Sequence, residues 1–160
     1  MILTASDFYT YQRPSKCDLR VYLRHRGEEE SPPGPYDEVI RRLGQLHEKV
    51  HLSTFPAFVD LSKGTREERI QKTKEQAVKG APVIYQAALK ANAELDGVRC
   101  EILGEPDFLL KEPGQYVIRD SKISRRITGK DHPEILNQLQ IYGWLYEQTF
   151  SKPPARLEVH

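Results

Sequence analysis

Gly104-Glu105-Pro106-Asp107-Phe108-Leu109-Leu110, a Pro113-Gly114 break, and Tyr116-Val117-Ile118-Arg119-Asp120-Ser121-Lys122 form the stretch that decides the fold. Two runs rich in Ile, Leu, Val and aromatic residues flank a Pro-Gly dipeptide, which is the signature of a β-hairpin. In an antiparallel hairpin, residues equidistant from the turn face each other. Asp107 and Asp120 lie symmetrically about Pro113-Gly114, so the simplest register sets them side by side on adjacent strands. Lys122, two residues beyond Asp120, projects from the same face.

Two carboxylates so placed repel each other, and the repulsion is relieved when a cation sits between them. Oxygen ligands suit Mg²⁺ or Mn²⁺. A lysine beside such an ion can hold and polarise a water, or meet charge developing on a phosphate. An Asp-x-Lys triplet is also common on the solvated face of an ordinary hairpin. The rest of the chain has to separate the two readings.

A chain of 160 residues suits one domain with a real core. No apolar run is long enough to span a bilayer, and the N-terminus lacks the basic-then-apolar pattern of a signal peptide. Cys17 and Cys100 are far apart and without paired spacing, which points to a reducing, cytoplasmic setting. A net charge of +1 argues against electrostatic coating of nucleic acid but leaves room for a local basic groove.

Upstream of the hairpin, Thr4-Ala5-Ser6-Asp7 is a helix-start signal, and Ser15 with Asp18 approximates a capping box for a helix over 16–23. Residues 28–35 are charged and proline-rich, as in a loop. From Tyr36, the apolar residues Val39, Ile40, Leu43, Leu46 and Val50 recur at helical spacing, which predicts a helix with that stripe on the core. His47 follows Leu43 by four and Ile40 by seven, so it should point inward. Gly44, one turn earlier, would permit a close approach. His51 shares that face and is given no role. Thr65 and Glu68 fit the capping box of a solvated, charged helix. Pro82 to Leu89 reads as a strand, with the alanines of 86–95 leaving a helix open there. Asn92 to Gly97 is turn-like, and Val98 to Leu103 is a strand leading towards Asp107.

Downstream of Lys122, a glycine and the cations Arg125, Arg126 and Lys130 make a loop able to contact phosphates, or simply a solvated connection. Asp131 and Pro133 start the next helix. Its apolar stripe is Ile135, Leu139, Tyr142, Leu145, Tyr146 and Phe150, and Gln138 shares an edge with Tyr142. After Pro153-Pro154, residues 155–160 start a strand. The loop and helix are long enough for that strand to lie parallel to a neighbour by a crossover. The expected architecture is α/β, with a mixed central sheet flanked by helices.

Taken in order, Gly44-x-x-His47-Glu48, Gly104-Glu105-Pro106-Asp107, Asp120-Ser121-Lys122 and Gln138-x-x-x-Tyr142 resemble the RecB-like branch of the PD-(D/E)xK nuclease superfamily. The segment Ser15 to Leu23 is similar to the start of the CRISPR-associated RecB-like exonucleases. The resemblance covers nearly the whole chain and implies a restriction-endonuclease-like αβββαβ core over residues 31–160, preceded by an N-terminal helical segment over 1–30. Because the sequence stops as its last strand forms, it is expected to be the N-terminal domain of a longer protein, with a possible adjoining C-terminal domain. The implied activity is metal-dependent hydrolysis of phosphodiester bonds, most often in DNA, with single strands or ends favoured and no membrane partner. Position by position, His47, Asp107 and Asp120 would be metal ligands, with the Ser121 carbonyl as a further oxygen. Lys122 would position water, and Gln138 and Tyr142 would orient the site. A nitrogen ligand among oxygens moves preference from Mg²⁺ towards Mn²⁺. The cluster-binding relatives carry three more cysteines towards the C-terminus, and only Cys17 has a counterpart here, so no iron–sulfur cluster is expected. Arg119 places a charge on a strand expected to be buried, which the sequence leaves unexplained. A catalytically silent nucleic-acid-binding or assembly module with the same fold is the other class of protein this pattern fits.

Overall fold

The computed structural model describes residues 1–13, 17–28, 31–124, 127–128 and 130–160. The chain enters a sheet at once: β1 (Ile2–Thr4) runs parallel to residues 101–103. Thr4 then caps α1 (Ala5–Gln12), accepting from the Asp7 N–H while Asp7 accepts from the Thr4 N–H. A reciprocal cap of this kind is worth about 1 kcal/mol. Next comes α2 (Asp18–His25), two residues later than the expected 16–23, with Cys17 at its N-cap making no side-chain bond. Ser15 and Lys16 lie outside the described residues.

The middle of the chain supplies α3 (Pro35–Leu52), β2 (Val59–Asp60), α4 (Arg66–Val78), β3 (Val83–Tyr85), β4 (Leu89–Leu95) and β5 (Val98–Gly104). The hairpin β6 (Phe108–Glu112) and β7 (Gln115–Asp120), then α5 (Pro133–Phe150) and β8 (Arg156–Val159), complete it. Strands fall into two sheets, ordered β1-β5-β4 and β2-β3-β6-β7-β8, each mixing parallel and antiparallel pairs. The fold is mixed α/β, with two sheets where the sequence predicts one. Helix α5 packs against α1 and touches β4, β5, β7 and β8, so it ties the two sheets together.

The decisive hairpin pairs as its symmetry predicts, with Phe108 opposite Arg119 and Glu112 opposite Gln115. Continued one residue outward, that register sets Asp107 across from Asp120. The core around it contains Ile84, Leu89, Leu109, Ile118, Leu139, Tyr142, Leu145 and Tyr146, all buried. Each such side chain stabilises the fold by roughly 1.5–3 kcal/mol. Gly104 lies where α5 presses on β5: a Cβ there would stand 2.5 Å from Leu145 Cδ1 and 2.8 Å from Tyr142 Cδ1. Only glycine permits that approach. The last strand, β8, runs parallel to β7 after the α5 crossover, as expected.

Several expectations give way. Pro82 to Leu89 is not one strand: β3 ends at Tyr85, and Gln86 adopts φ 54° before β4 begins. Asn92 to Leu95 is strand, not turn, and the reversal is confined to Asp96 (φ 48°) and Gly97. The expected N-terminal helical segment also contains a strand among its described residues: β1 joins a sheet, and Ala5 joins the core. The largest departure is α3. Val39, Ile40, Leu43, Leu46 and Val50 are exposed, Leu46 by 59%. The helix instead turns Gly44, His47, Glu48 and His51 inward, with His51 buried. Gly44 is under no steric demand, since a Cβ there would meet only Ile123 Cδ1 at 3.8 Å.

Candidate metal and phosphate site

The site forms where β6 begins and β7 ends, and α3 lies across that opening. Asp120, the last residue of β7, is 3% exposed. Asp107 precedes β6 and is half-buried, and its Oδ2 accepts from the Ser121 N–H at 2.7 Å. Lys122 Nζ lies 2.7 Å from Asp120 Oδ2, an ion pair whose angle does not make a hydrogen bond. The same ammonium stands 5.4 Å over the ring of Tyr9 in α1, a cation–π arrangement that fixes its direction. The Lys122 N–H donates to the His160 carbonyl, and the His160 N–H donates to the Asp120 carbonyl.

Glu48, rather than His47, reaches the carboxylates from α3. The Gln86 amide lies between them, with Nε2 donating to Glu48 Oε1 at 2.5 Å and to Asp107 Oδ1 at 3.1 Å. Tyr85 also hydrogen-bonds Glu48, and with burial this raises the phenol's pKa. Burial, followed by the charges of Asp120 and Glu48, pushes the Asp107 carboxyl up to about 8. The Ser121 N–H and Lys122 pull the other way without offsetting it. Burial beside two other carboxylates thus disfavours the charged form of Asp107.

His47 turns elsewhere. Its Nε2 donates to the His160 carbonyl at 3.3 Å, and its ring stacks on that of His160 with centroids 5.1 Å apart. His51, which sequence reasoning left without a role, stacks on His160 at 3.6 Å and meets Phe55 and Phe108 edge-on. Burial, then the neighbouring His160, Arg119 and His47, lowers its pKa to about 4. Arg119 is now explained: it pairs with Glu158, its register partner on β8, and its Nη1 meets His51 Nε2 at 3.2 Å. The hairpin charge is therefore satisfied across the strand and by α3.

On α5, Gln138 Nε2 donates to the buried Tyr142 hydroxyl at 3.0 Å. Burial, and then the Asp120 and Asp107 charges, raises the Tyr142 pKa well above its ordinary value. The pair thus lies within the electrostatic reach of the carboxylates. One turn earlier, Glu134 is buried and contacts His132 Nδ1 at 3.3 Å, a position the sequence reading passed over. Asp120 Oδ2, Ser121 Oγ, Glu134 Oε2 and Gln138 Oε1 are all buried without a hydrogen-bond partner. Of the predicted phosphate contacts, Lys130 is exposed, while Arg125 and Arg126 lie outside the described residues.

Glu48 stood beside His47 in the sequence, but nothing in helical periodicity alone says which of two adjacent residues reaches a neighbouring element. Gln86 carried no signal, since a positive φ at a glutamine is not written in composition. Among the described residues, no three His, Cys, Asp or Glu side chains converge closely enough to cage an ion as they stand. The Gln86 amide bridges Glu48 and Asp107.

No family model and no curated protein matches this chain. Among solved structures, the chain is similar to a protein described as the crystal structure of SSO0001, at 14% sequence identity and a TM-score of 0.47. The match covers 92% of this chain and 57% of that protein, so the chain spans little more than half of its neighbour's length.

Proposed function

We propose that this chain is a metal-dependent nuclease, RecB-like, that hydrolyses phosphodiester bonds in DNA, with single strands or ends favoured. The observation that carries the reading is the Asp107–Asp120 pair at the open end of the hairpin, with the Lys122 ammonium on Asp120 and the Gln86 amide linking Asp107 to Glu48. A divalent cation fits the residues present. The donor set is oxygen, Asp120 Oδ2 is buried with no hydrogen bond and the Lys122 ammonium beside it, and burial next to Asp120 and Glu48 disfavours the charged form of Asp107, a cost that a cation would relieve.

In this reading Glu48, Asp107, Asp120 and the Ser121 carbonyl hold Mg²⁺ or Mn²⁺, and His47 is not among the ligands. When bound, the cation supplies Lewis-acid stabilisation of the phosphate and a lowered pKa for a water. Lys122, braced by Asp120 and Tyr9, orients the attacking water and meets negative charge as it builds on the phosphoryl oxygens. Gln138 and Tyr142 act as a hydrogen-bonded pair that orients the carboxylates and the substrate phosphate. Arg125, Arg126 and Lys130 contact the DNA backbone, which positions it without reading sequence. An all-oxygen set removes the preference for Mn²⁺ that a histidine ligand would confer.

Among the described residues no helix is long and apolar enough to cross a membrane. We place the protein in the cytoplasm on the strength of its two free cysteines. The second reading, a silent binding or assembly module, is favoured by one observation: the exposed apolar stripe of α3. Metal-dependent cleavage of end-labelled DNA separates the two, because a module binds without consuming its partner.

A further inference from the structure

We infer that Gln86 is a member of the cation site, its amide turning over on binding so that Oε1 joins Glu48 and Asp107 as an oxygen ligand. The inference rests on the metal-dependent reading above. It starts from the backbone: Gln86 sits at φ 54°, where side-chain-bearing residues are rare, and such outliers persist when the surroundings over-determine them. Here they do. The Gln86 N–H donates to the Asp107 carbonyl at 2.7 Å, and its own carbonyl accepts from Arg69 Nη2 at 2.9 Å. The residue is clamped on both sides with its side chain aimed between two carboxylates.

What the amide does there follows from its chemistry. With no cation, Nε2 supplies two N–H donors at the point where Glu48 and Asp107 would otherwise repel. A cation at that point reverses the demand, because it needs oxygens and repels N–H groups. A half-turn about the last side-chain bond exchanges N and O while leaving the rest of the residue in place. The strained, clamped backbone then delivers a neutral carbonyl oxygen to the two carboxylates, a ligand type that hard divalent cations accept. Gln86 also lines a cavity of about 250 Å³ with Arg66, Glu105 and Tyr142.

The test is calorimetric titration of Mn²⁺ into the full chain, which reads binding without any nucleic acid. Gln86→Ala should weaken Mn²⁺ binding about tenfold or more, and Gln86→Glu should bind at least as tightly as the wild type. Gln86→Gly, which accepts φ 54° without strain, repeats the comparison should the alanine variant not fold. Unchanged or tighter binding by both truncations would overturn the inference, since it would make the amide a stopgap that the ion expels. No Mn²⁺ binding by the wild-type chain would overturn the inference together with the reading it rests on. Weakened binding in the Gln86 truncations, together with no DNA cleavage by the wild-type chain, would support the inference and sink the nuclease reading alone.

Discussion

Asp107→Asn isolates the electrostatics of the site. In the cation-free protein the Asp107 carboxyl is pushed from 3.8 to about 8, chiefly by burial and by Asp120 and Glu48. At about 1.4 kcal/mol per pKa unit, that difference caps the ionisation cost at on the order of 6 kcal/mol. Relaxation of the surroundings softens buried charges, so the working figure is on the order of 2–3 kcal/mol. Because the folded-state pKa is raised, the unfolded chain loses this proton first as pH climbs. Stability is therefore full below about pH 4 and is lost through about pH 8. Asparagine keeps the shape and removes the charge. For a chain of this size the variant should melt about 5–10 °C above the wild type at pH 8 in EDTA, and level with it at pH 4 and below. Excess Mn²⁺ should raise the wild-type melting temperature by a similar amount and the variant's far less. Scanning calorimetry at the two pH values, with Mn²⁺ or EDTA, reads all of this. A variant that melts below the wild type at pH 8 in EDTA would refute the reasoning, making Asp107 a satisfied structural carboxylate.

Three further expectations follow from other parts of the fold. Gly104→Ala forces a Cβ to within 2.5 Å of Leu145, so it should destabilise by about 1–3 kcal/mol in denaturant titration. A wild-type midpoint would mean that α5 does not press on β5 as described. His51, with its pKa lowered to about 4, stays neutral in the fold while the unfolded chain takes up a proton near 6.5. Stability should therefore fall as pH drops from about 6.5 towards 4, and His51→Phe should flatten that limb of the melting curve. Because α3 faces its apolar stripe to solvent, Leu46→Lys should change stability by no more than about 0.5 kcal/mol. A loss of several kcal/mol by the same titration would place that stripe back on the core.

The hairpin was legible because it is local. A turn pinned at Pro113-Gly114 leaves one register that puts Phe108, Leu109, Val117 and Ile118 in the core, and Asp107 and Asp120 follow from it. The α5 stripe was legible for a related reason: apolar on the side of Leu139, Tyr142 and Leu145, it had both sheets to cover. The same periodicity misled at α3. A stripe says which residues share a face, not which face meets the protein, and there the polar face won through His47, Glu48 and His51. Those side chains are held by Arg119, His160 and Gln86, all distant in sequence. β1 is too short to carry a pattern, and its place beside β5 depends on partners a hundred residues away. The left-handed turn at Gln86 is long-range in the same sense, since Asp107 and Arg69 enforce it.

The central claim is that Glu48, Asp107, Asp120 and Lys122 form one hydrolytic centre. The most direct measurement is cleavage of end-labelled single- and double-stranded DNA with Mn²⁺, Mg²⁺ or EDTA, by the wild-type chain and by Glu48→Gln, Asp120→Ala, Lys122→Ala and His47→Ala. Cleavage is expected with either metal and none in EDTA, with loss in the first three variants and retention in His47→Ala. No cleavage by the wild-type chain with any metal, or full activity in Asp120→Ala, would contradict the claim.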